Sequence, residues 1–455
     1  MTRMFPPGPK DWSLGFRLAH KIKFDLFATY ESLHREYGDQ VYSRIGPFHF
    51  YCFFHPDDVH EVLVTHSTTI IRDPRPMRVF EQWNGSSLLI VEGERWKRQR
   101  RLVQPAFQSR RFAAYSEKMA VGVEALTETL NKQINEQGHV DIDIDKTMVG
   151  LTLDIICQTM FSTDLKSQIS EISRAVATLS EIAFFEMQAL FIWPRWLPTA
   201  WNRRKHEAIK VLDETVWSLV RQRRRENVDK CDLLSMLLAA VDDEGDGGSL
   251  TDEQVRNEVM TLMLAGHDTS AAALDWIWML LARHPEVSEK CRAELASVCG
   301  DQPLTFLHLP ELVYLNAVIR ESLRMYPPAI GVFLRMATQD VKIGKYEVPK
   351  GSLISLSSLI TQRDARWFPE PDKFEPERFL PPRVEKIPHC AWFPFGAGPR
   401  VCIGQNFAMT EMMQIVGRLM QHFRVTYAPG QTDPVPVVTA AMRPRDPLLL
   451  RFEKL

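Results

Sequence analysis

Phe393 to Gly404 reads FPFGAGPRVCIG, and within it Phe395, Gly398, Arg400, Cys402 and Gly404 fit the pattern F-x-x-G-x-R-x-C-x-G. Residue types at this spacing suit a thiolate acting as axial ligand to the iron of a flat macrocycle. Such a sulfur must be held at a fixed distance, shielded from water and faced by backbone N–H groups that moderate its charge. Gly396 and Gly398 permit a tight turn, and Gly404 lets the following helix pack against the ring. The helix N-terminus behind Cys402 favours the anionic form of the sulfur. Arg400, two residues before the cysteine, is placed to pair with a propionate. A lone cysteine in a Gly-rich loop is ordinarily a buried structural residue; the five matched positions reverse those odds. A dinucleotide-binding loop fails, because Val401 occupies the third glycine position and no alternating strand precedes it. The remaining cysteines, Cys52, Cys157, Cys231, Cys291, Cys299 and Cys390, are scattered with no C-x-x-C pair and read as reduced and inert.

A second group with chemical potential is Ala265 to Ser270, AGHDTS, in which Ala265, Asp268 and Thr269 share one helical face. An acid and a hydroxyl side by side can relay protons from water to a bound oxygen species. Gly266 removes bulk next to them, and the Thr269 hydroxyl can satisfy a local kink. His267 reads as an ordinary helix-face histidine.

The cysteine loop resembles the cysteine-pocket motif of the cytochrome P-450 family, and the likeness extends from Trp96 to the C-terminal tail, nearly the whole chain. The resemblance implies heme b (iron protoporphyrin IX) with the Cys402 thiolate as axial ligand. It also implies that Asp268 and Thr269 deliver protons during activation of O2. Some fatty-acid hydroxylases of the family attach heme through a Glu just before the glycine; Ala265 stands there in this chain, so the heme is expected to be bound noncovalently. Trp96 and Arg100 match the family's W-x-x-x-R at the heme edge, and Arg335 falls where a strand arginine meets the other propionate. Glu321 and Arg324 form E-x-x-R, and with Arg378 they resemble the family's buried charge network, whose role is structural. On its own, E-x-x-R would be a helix-surface ion pair.

The elements that must position these groups are mainly helical. A helical stretch is expected over Phe24 to Tyr37, stopped by Gly38, followed by a hairpin of Gln40 to Ile45 and Phe48 to Phe54 around Gly46-Pro47. Helical patterns dominate from Glu92, including Arg111 to Gln137 and His206 to Asn227. The longest begins at a capping box, Thr251 and Gln254, and runs to Pro285. Short strands are expected at Val332 to Met336, Val341 to Ile343 and Leu353 to Leu359, and a last helix at Gln405 to His422. The predicted class is mainly α with a smaller β-rich region, a single prism-like domain over residues 1–455, as the resemblance implies. Residues 1–10 are a proline-rich segment with no apolar run long enough to span a bilayer; the protein is read as bacterial-type and cytoplasmic.

With 45% hydrophobic and 25% charged residues and a formal net charge of −2, nothing favours nucleic acid as a partner. Arg95, Lys97, Arg98, Arg100, Arg101, Arg110 and Arg111 concentrate positive charge; this is either a landing site for an acidic electron donor or a solvated helical face. No ferredoxin-type cysteine spacing or flavin module is present, so the resemblance implies electrons from NAD(P)H through a reductase with ferredoxin or flavodoxin. Segments matching the family's distal pocket, Phe80 to Leu89, Ala183 to Leu190, Ile330 to Phe333 and Thr439 to Met442, are largely apolar. They imply a hydrophobic small-molecule substrate such as a fatty acid, terpenoid or steroid, and no charged residue stands out as a carboxylate anchor. Phe184-Phe185 to Phe191-Ile192-Trp193 reads as core packing, as a mobile entrance or as a stretch that touches a membrane surface. The competing readings are a heme-thiolate isomerase, dehydratase or peroxygenase, against which Asp268 and Thr269 argue, and a heme sensor or electron carrier. A hydrolase lacks the G-x-S-x-G elbow.

Overall fold

The computed structural model describes residues 4–10, 13, 15–134, 138–163, 168–187, 189, 192–194, 196–242, 245 and 247–455. Positions 188, 190 and 191 of the apolar segments, 135–137 of the expected helix and 1–3 of the proline-rich segment lie outside them. The chain divides into two compact units, Met1–Arg78 with Leu323–Cys402, and Val79–Ser322 with Ile403–Leu455.

The first unit is built on a five-stranded sheet ordered Gln40–Ile45, Phe48–Phe53, Leu353–Leu356, Arg335–Ala337, Ile70–Arg72. The first two strands pair antiparallel from Gln40 opposite Phe53 to Ile45 opposite Phe48, as expected of the hairpin. Before it, the expected helix stands at Leu26–Tyr37, two residues later than its expected start, and a further helix that was not expected, Phe16–Phe24, precedes it. Asp25 leaves helical geometry and its carboxylate accepts from the Ala28 N–H at 3.0 Å, so it ends one helix and caps the next. The run expected to be a strand to Leu359 stops at Leu356, because the Ser357 hydroxyl caps a helical turn, Ser358–Thr361. The strand expected at Val332 begins only at Arg335. Tyr51, Phe53, Val59, Ile70, Ile343, Val348 and Ile354 form the core under this sheet.

The second unit is helical. Its longest member, Asp252–Arg283, has 32 residues, about 48 Å at 1.5 Å per residue. Its N-terminus carries the expected capping box: the Gln254 N–H donates to Thr251 Oγ1 and Gln254 Oε1 accepts from the Thr251 N–H. It is buried on nearly every face along Leu274 to Leu281, as a helix running through a core must be. Around it stand Gly93–Val103, Phe112–Gln133, Ile144–Phe161, Ile169–Met187, Ala200–Glu226, Leu233–Ala239, Pro285–Cys299 and Gln405–His422. The helix expected from His206 begins six residues earlier, at Ala200, because Thr199 accepts from the Asn202 N–H and caps it there. A three-stranded sheet places Leu449–Lys454 between His139–Asp143 and Phe423–Tyr427. A terminal hairpin pairs Pro436–Val438 with Met442–Pro444. Among the described residues, no helix is long and apolar enough to cross a membrane.

Candidate active site

In the first unit the cysteine loop is a series of tight turns. The Gly396 N–H donates to Phe393 O, the Val401 N–H to Gly398 O, and the Cys402 N–H back to Phe395 O at 3.0 Å. Gly396 and Gly398 sit at φ 75° and 69°, the left-handed region that a side chain would strain. The loop is also tethered from behind. Gln362 Oε1 accepts from the Phe393 N–H at 2.9 Å, its Nε2 donates to the carbonyls of Leu323 and Arg324, and Arg324 Nη1 donates to Gln362 O. Arg324 is therefore buried as a bracket for the loop, with its guanidinium 5.3 Å from the Phe368 ring. Buried Arg378 holds Glu370 O at 2.9 Å and the Glu375 carboxylate at 3.2 Å. Glu321 lies one turn before Arg324 on Val313–Met325 and is fully buried. Sequence reading missed Gln362, which carries no motif.

Cys402 is exposed at the end of this loop, although Ala391 and Phe393 earlier in it are buried. Phe395 and Arg400 are half-buried beside it in the chain. Arg335 is buried and its strand register sets it directly opposite Arg72, which lies 5.8 Å from the Phe333 ring. Two guanidinium-bearing residues paired across strands repel one another and favour an anion beside them.

In the second unit the long helix is open at only one place along its middle: Ala265 and Thr269 are exposed between buried Met263, His267 and Ser270. Thr269 Oγ1 donates to Ala265 O at 2.8 Å, a back-bond within an unbroken helix. A β-carbon on Gly266 would lie 2.5 Å from Ile156 Cδ1, so within this unit the missing side chain admits the helix Ile144–Phe161. His267 is buried with Nδ1 on Met263 O, and its own carbonyl accepts from Thr152 Oγ1. Burial pushes its pKa down and keeps the ring neutral, the ordinary structural histidine that was expected.

Asp268 is not alone. Arg443 Nη2, from the terminal hairpin, donates both to Asp268 Oδ1 and to Asp268 O at 2.9 Å, while Nη1 reaches Asp145 and Asp275. Asp275 is fully buried, and burial followed by repulsion from Asp145 raises its pKa well above the carboxylate range. Burial works against the charge of Arg443, but the carboxylates of Asp268, Asp145 and Asp275 outweigh it and raise its pKa.

Two further acids were invisible in the sequence. Glu258, two turns before Ala265, accepts from the Leu88 N–H through both oxygens, and burial pushes it up to about 8. Glu411, on Gln405–His422, is likewise pushed up to about 8 by burial, which the Ser270 hydroxyl beside it only partly opposes. Within the apolar segments, Glu186 and Lys205 form an ion pair of 2.6 Å with both side chains 3% exposed, bridged by Gln82.

Trp96 and Arg100 lie one turn apart on Gly93–Val103, both half-buried. Of the basic cluster, Arg101 is engaged with Asp242, and Arg98 with Asp242 and Ser249 O. Arg95, Lys97 and Arg110 remain exposed. Gly404 caps the N-terminus of Gln405–His422, where its carbonyl accepts from the Ala408 N–H.

In the first unit, an exposed thiol on a glycine-turned loop close in sequence to Arg400 suits an iron-bearing group with carboxylates; in the second, the long helix is open along its middle at Ala265 and Thr269. Comparisons with known proteins agree in kind. A family model described as Cytochrome P450 matches residues 6–452. Cyclooctatin synthase of Streptomyces melanosporofaciens is 33% identical over 396 residues, covering 87% of this chain and 84% of that protein. Pentalenene oxygenase of Streptomyces avermitilis is 32% identical over 417 residues, covering 89% and 88%. A solved structure of a cyanobacterial CYP120A1 with retinoic acid bound matches with a TM-score of 0.87 at 26% identity, covering the whole of both chains.

Proposed function

Since the chain belongs to the cytochrome P450 family and is a monooxygenase of it, we propose that it inserts one atom of O2 into a hydrophobic small molecule, with a terpenoid skeleton the favoured class. The names of two similar proteins, cyclooctatin synthase and pentalenene oxygenase, support that class. So does the apolar character of Ile330 to Phe333 and Thr439 to Met442. The reading rests above all on one observation: the long helix is uncovered at Ala265 and Thr269, where an acid and a hydroxyl adjoin.

Heme b, bound noncovalently, supplies the iron at which O2 is reduced and from which an oxygen atom enters a C–H or C=C bond. Cys402 holds it as thiolate ligand, with the turns at Gly396 and Gly398 and the bracket of Gln362 and Arg324 fixing the sulfur. Arg400, Arg335, Trp96 and Arg100 would anchor its edge, and Phe395, Ala265 and Gly404 would give it room, whereas the space left by Gly266 is taken by Ile156. Glu321, Arg324 and Arg378 keep the segment before the loop rigid. Thr269 Oγ1 spends its proton on Ala265 O, so its lone pairs are available to hold a water, and rotation turns the proton outward. Asp268 would take up a proton from solvent on its carboxylate and, as the acid so formed, pass it to that water. Electrons come from NAD(P)H through a reductase with a ferredoxin or flavodoxin, for which exposed Arg95, Lys97 and Arg110 offer a landing site. The whole chain acts as one heme domain, in the cytoplasm.

The test is the difference spectrum of the dithionite-reduced protein with and without carbon monoxide. A red-shifted, thiolate-type Soret band that Cys402→Ala abolishes is the expected result; a histidine-type band, or one that survives the substitution, would overturn the ligand assignment.

A further inference from the structure

We propose that Arg443 is a positioning residue for Asp268, so that the terminal hairpin governs when this carboxylate can carry protons; the inference rests on the reading of Asp268 as the acid of the proton relay. Nη2 holds Asp268 at two points, the carboxylate oxygen and the main-chain carbonyl, and thus fixes both the side chain and the turn that bears it. Nη1 is shared by Asp145 and Asp275. One guanidinium therefore faces three carboxylates.

Burial disfavours charge on Asp275, so the cation is shared chiefly between Asp268 and the more exposed Asp145. The other groups facing the cluster do not relieve that competition. His267 is buried and neutral, and Asp143 is paired with Lys146 at 2.7 Å. Loosening Arg443 toward Asp145 thus releases Asp268, and tightening it on Asp268 withdraws it.

The hairpin is attached to the long helix at a second point. Trp276 Nε1 donates to Met442 O at 2.8 Å, two turns beyond Asp268. Met442 adjoins Arg443 and closes the apolar stretch Thr439 to Met442, so a molecule pressing on that stretch moves the residue next to the guanidinium. Binding and proton supply are in this way connected through one strand of three residues, Met442–Pro444.

The experiment compares the heme-loaded wild type with Arg443→Gln, Arg443→Lys, Asp145→Asn and Asp268→Asn, without added substrate. Amide hydrogen exchange is read over residues 263–272 and 436–448. Turnover with NAD(P)H, a ferredoxin and its reductase gives the fraction of electrons recovered as hydrogen peroxide. Arg443→Gln should speed exchange in both segments about tenfold and change the peroxide fraction at least threefold, and Arg443→Lys should restore most of both. Asp145→Asn, which removes the competitor, should move both readouts the opposite way; a purely structural role would move them the same way. If Arg443→Gln does not fold, the sign of the Asp145→Asn effect decides. A peroxide fraction that responds to Asp268→Asn but to neither Arg443 nor Asp145 variants would overturn this inference alone, whereas no response to Asp268→Asn would remove the reading beneath it.

Discussion

Gly398 packs so closely on Leu63 that a β-carbon at this position would lie 2.1 Å from the Leu63 carbonyl oxygen. Backbone cannot yield as a side chain can, and φ at Gly398 is 69°. Gly398→Ala therefore combines a left-handed residue with a clash, a cost of about 1–3 kcal/mol before any relaxation. The loop that carries Cys402 should shift. The expected outcome is a lower midpoint of thermal unfolding together with a smaller thiolate-type carbon monoxide band per mole of protein; a variant matching wild type in both would show that the contact is slack.

Lys205→Met should be among the most destabilising single changes in the second unit. It leaves the Glu186 carboxylate buried without its cation, a cost of roughly 3–5 kcal/mol. Replacing both partners, Lys205→Met with Glu186→Leu, should recover much of that loss, because two apolar side chains need no partner. Denaturant unfolding of the two variants measures the difference, and equal losses in single and double variants would show that packing, not charge, dominates.

The pH dependence of stability has an identifiable source. Folded Glu411 titrates near 8 against an ordinary value of 4.5, so the folded protein keeps a proton that the unfolded chain gives up in between. The stabilisation is complete below the unfolded value and is lost as pH rises toward 8, by about 1.4 kcal/mol for each pH unit. Glu411→Gln has nothing to ionise, and its midpoint of unfolding should fall less steeply between pH 5 and 8. An identical slope would assign the dependence elsewhere, Glu258 being the next group to replace.

Thr269→Ala removes the hydroxyl while leaving an exposed, well-tolerated helix position. Product formed per NAD(P)H consumed should drop several-fold, with peroxide or water making up the difference, and Thr269→Ser should restore part of it. Equal coupling in all three proteins would sink the proton-holding role.

How much of this was legible in the sequence follows from the range of each interaction. The cysteine loop, the capping box at Thr251 and the last helix are local patterns, and each stands where its spacing put it. Asp25 shows the limit of such reading. The helix was expected from Phe24, but the Asp25 carboxylate reaching the Ala28 N–H caps it and sets its start at Leu26. Arg443 on Asp268, Gln362 behind Phe393 and Lys205 on Glu186 join residues from different elements, so no spacing announces them. The buried acids Glu258 and Glu411 belong to no motif, and only the fold says which face they occupy.

The strand Leu449–Lys454 lies in the middle of its sheet, and its pairing of His139 with Glu453 closes a loop of more than 300 residues. Loop closure of that span is slow to achieve and is rewarded only after the helices between have formed. The strand His139–Asp143 leads directly into the helix bearing Asp145, and the terminal hairpin directly precedes the strand Leu449–Lys454. Arg443 consequently joins Asp145, Asp268 and Asp275 at a late stage of folding. Until then the three acids stand near one another without their shared cation.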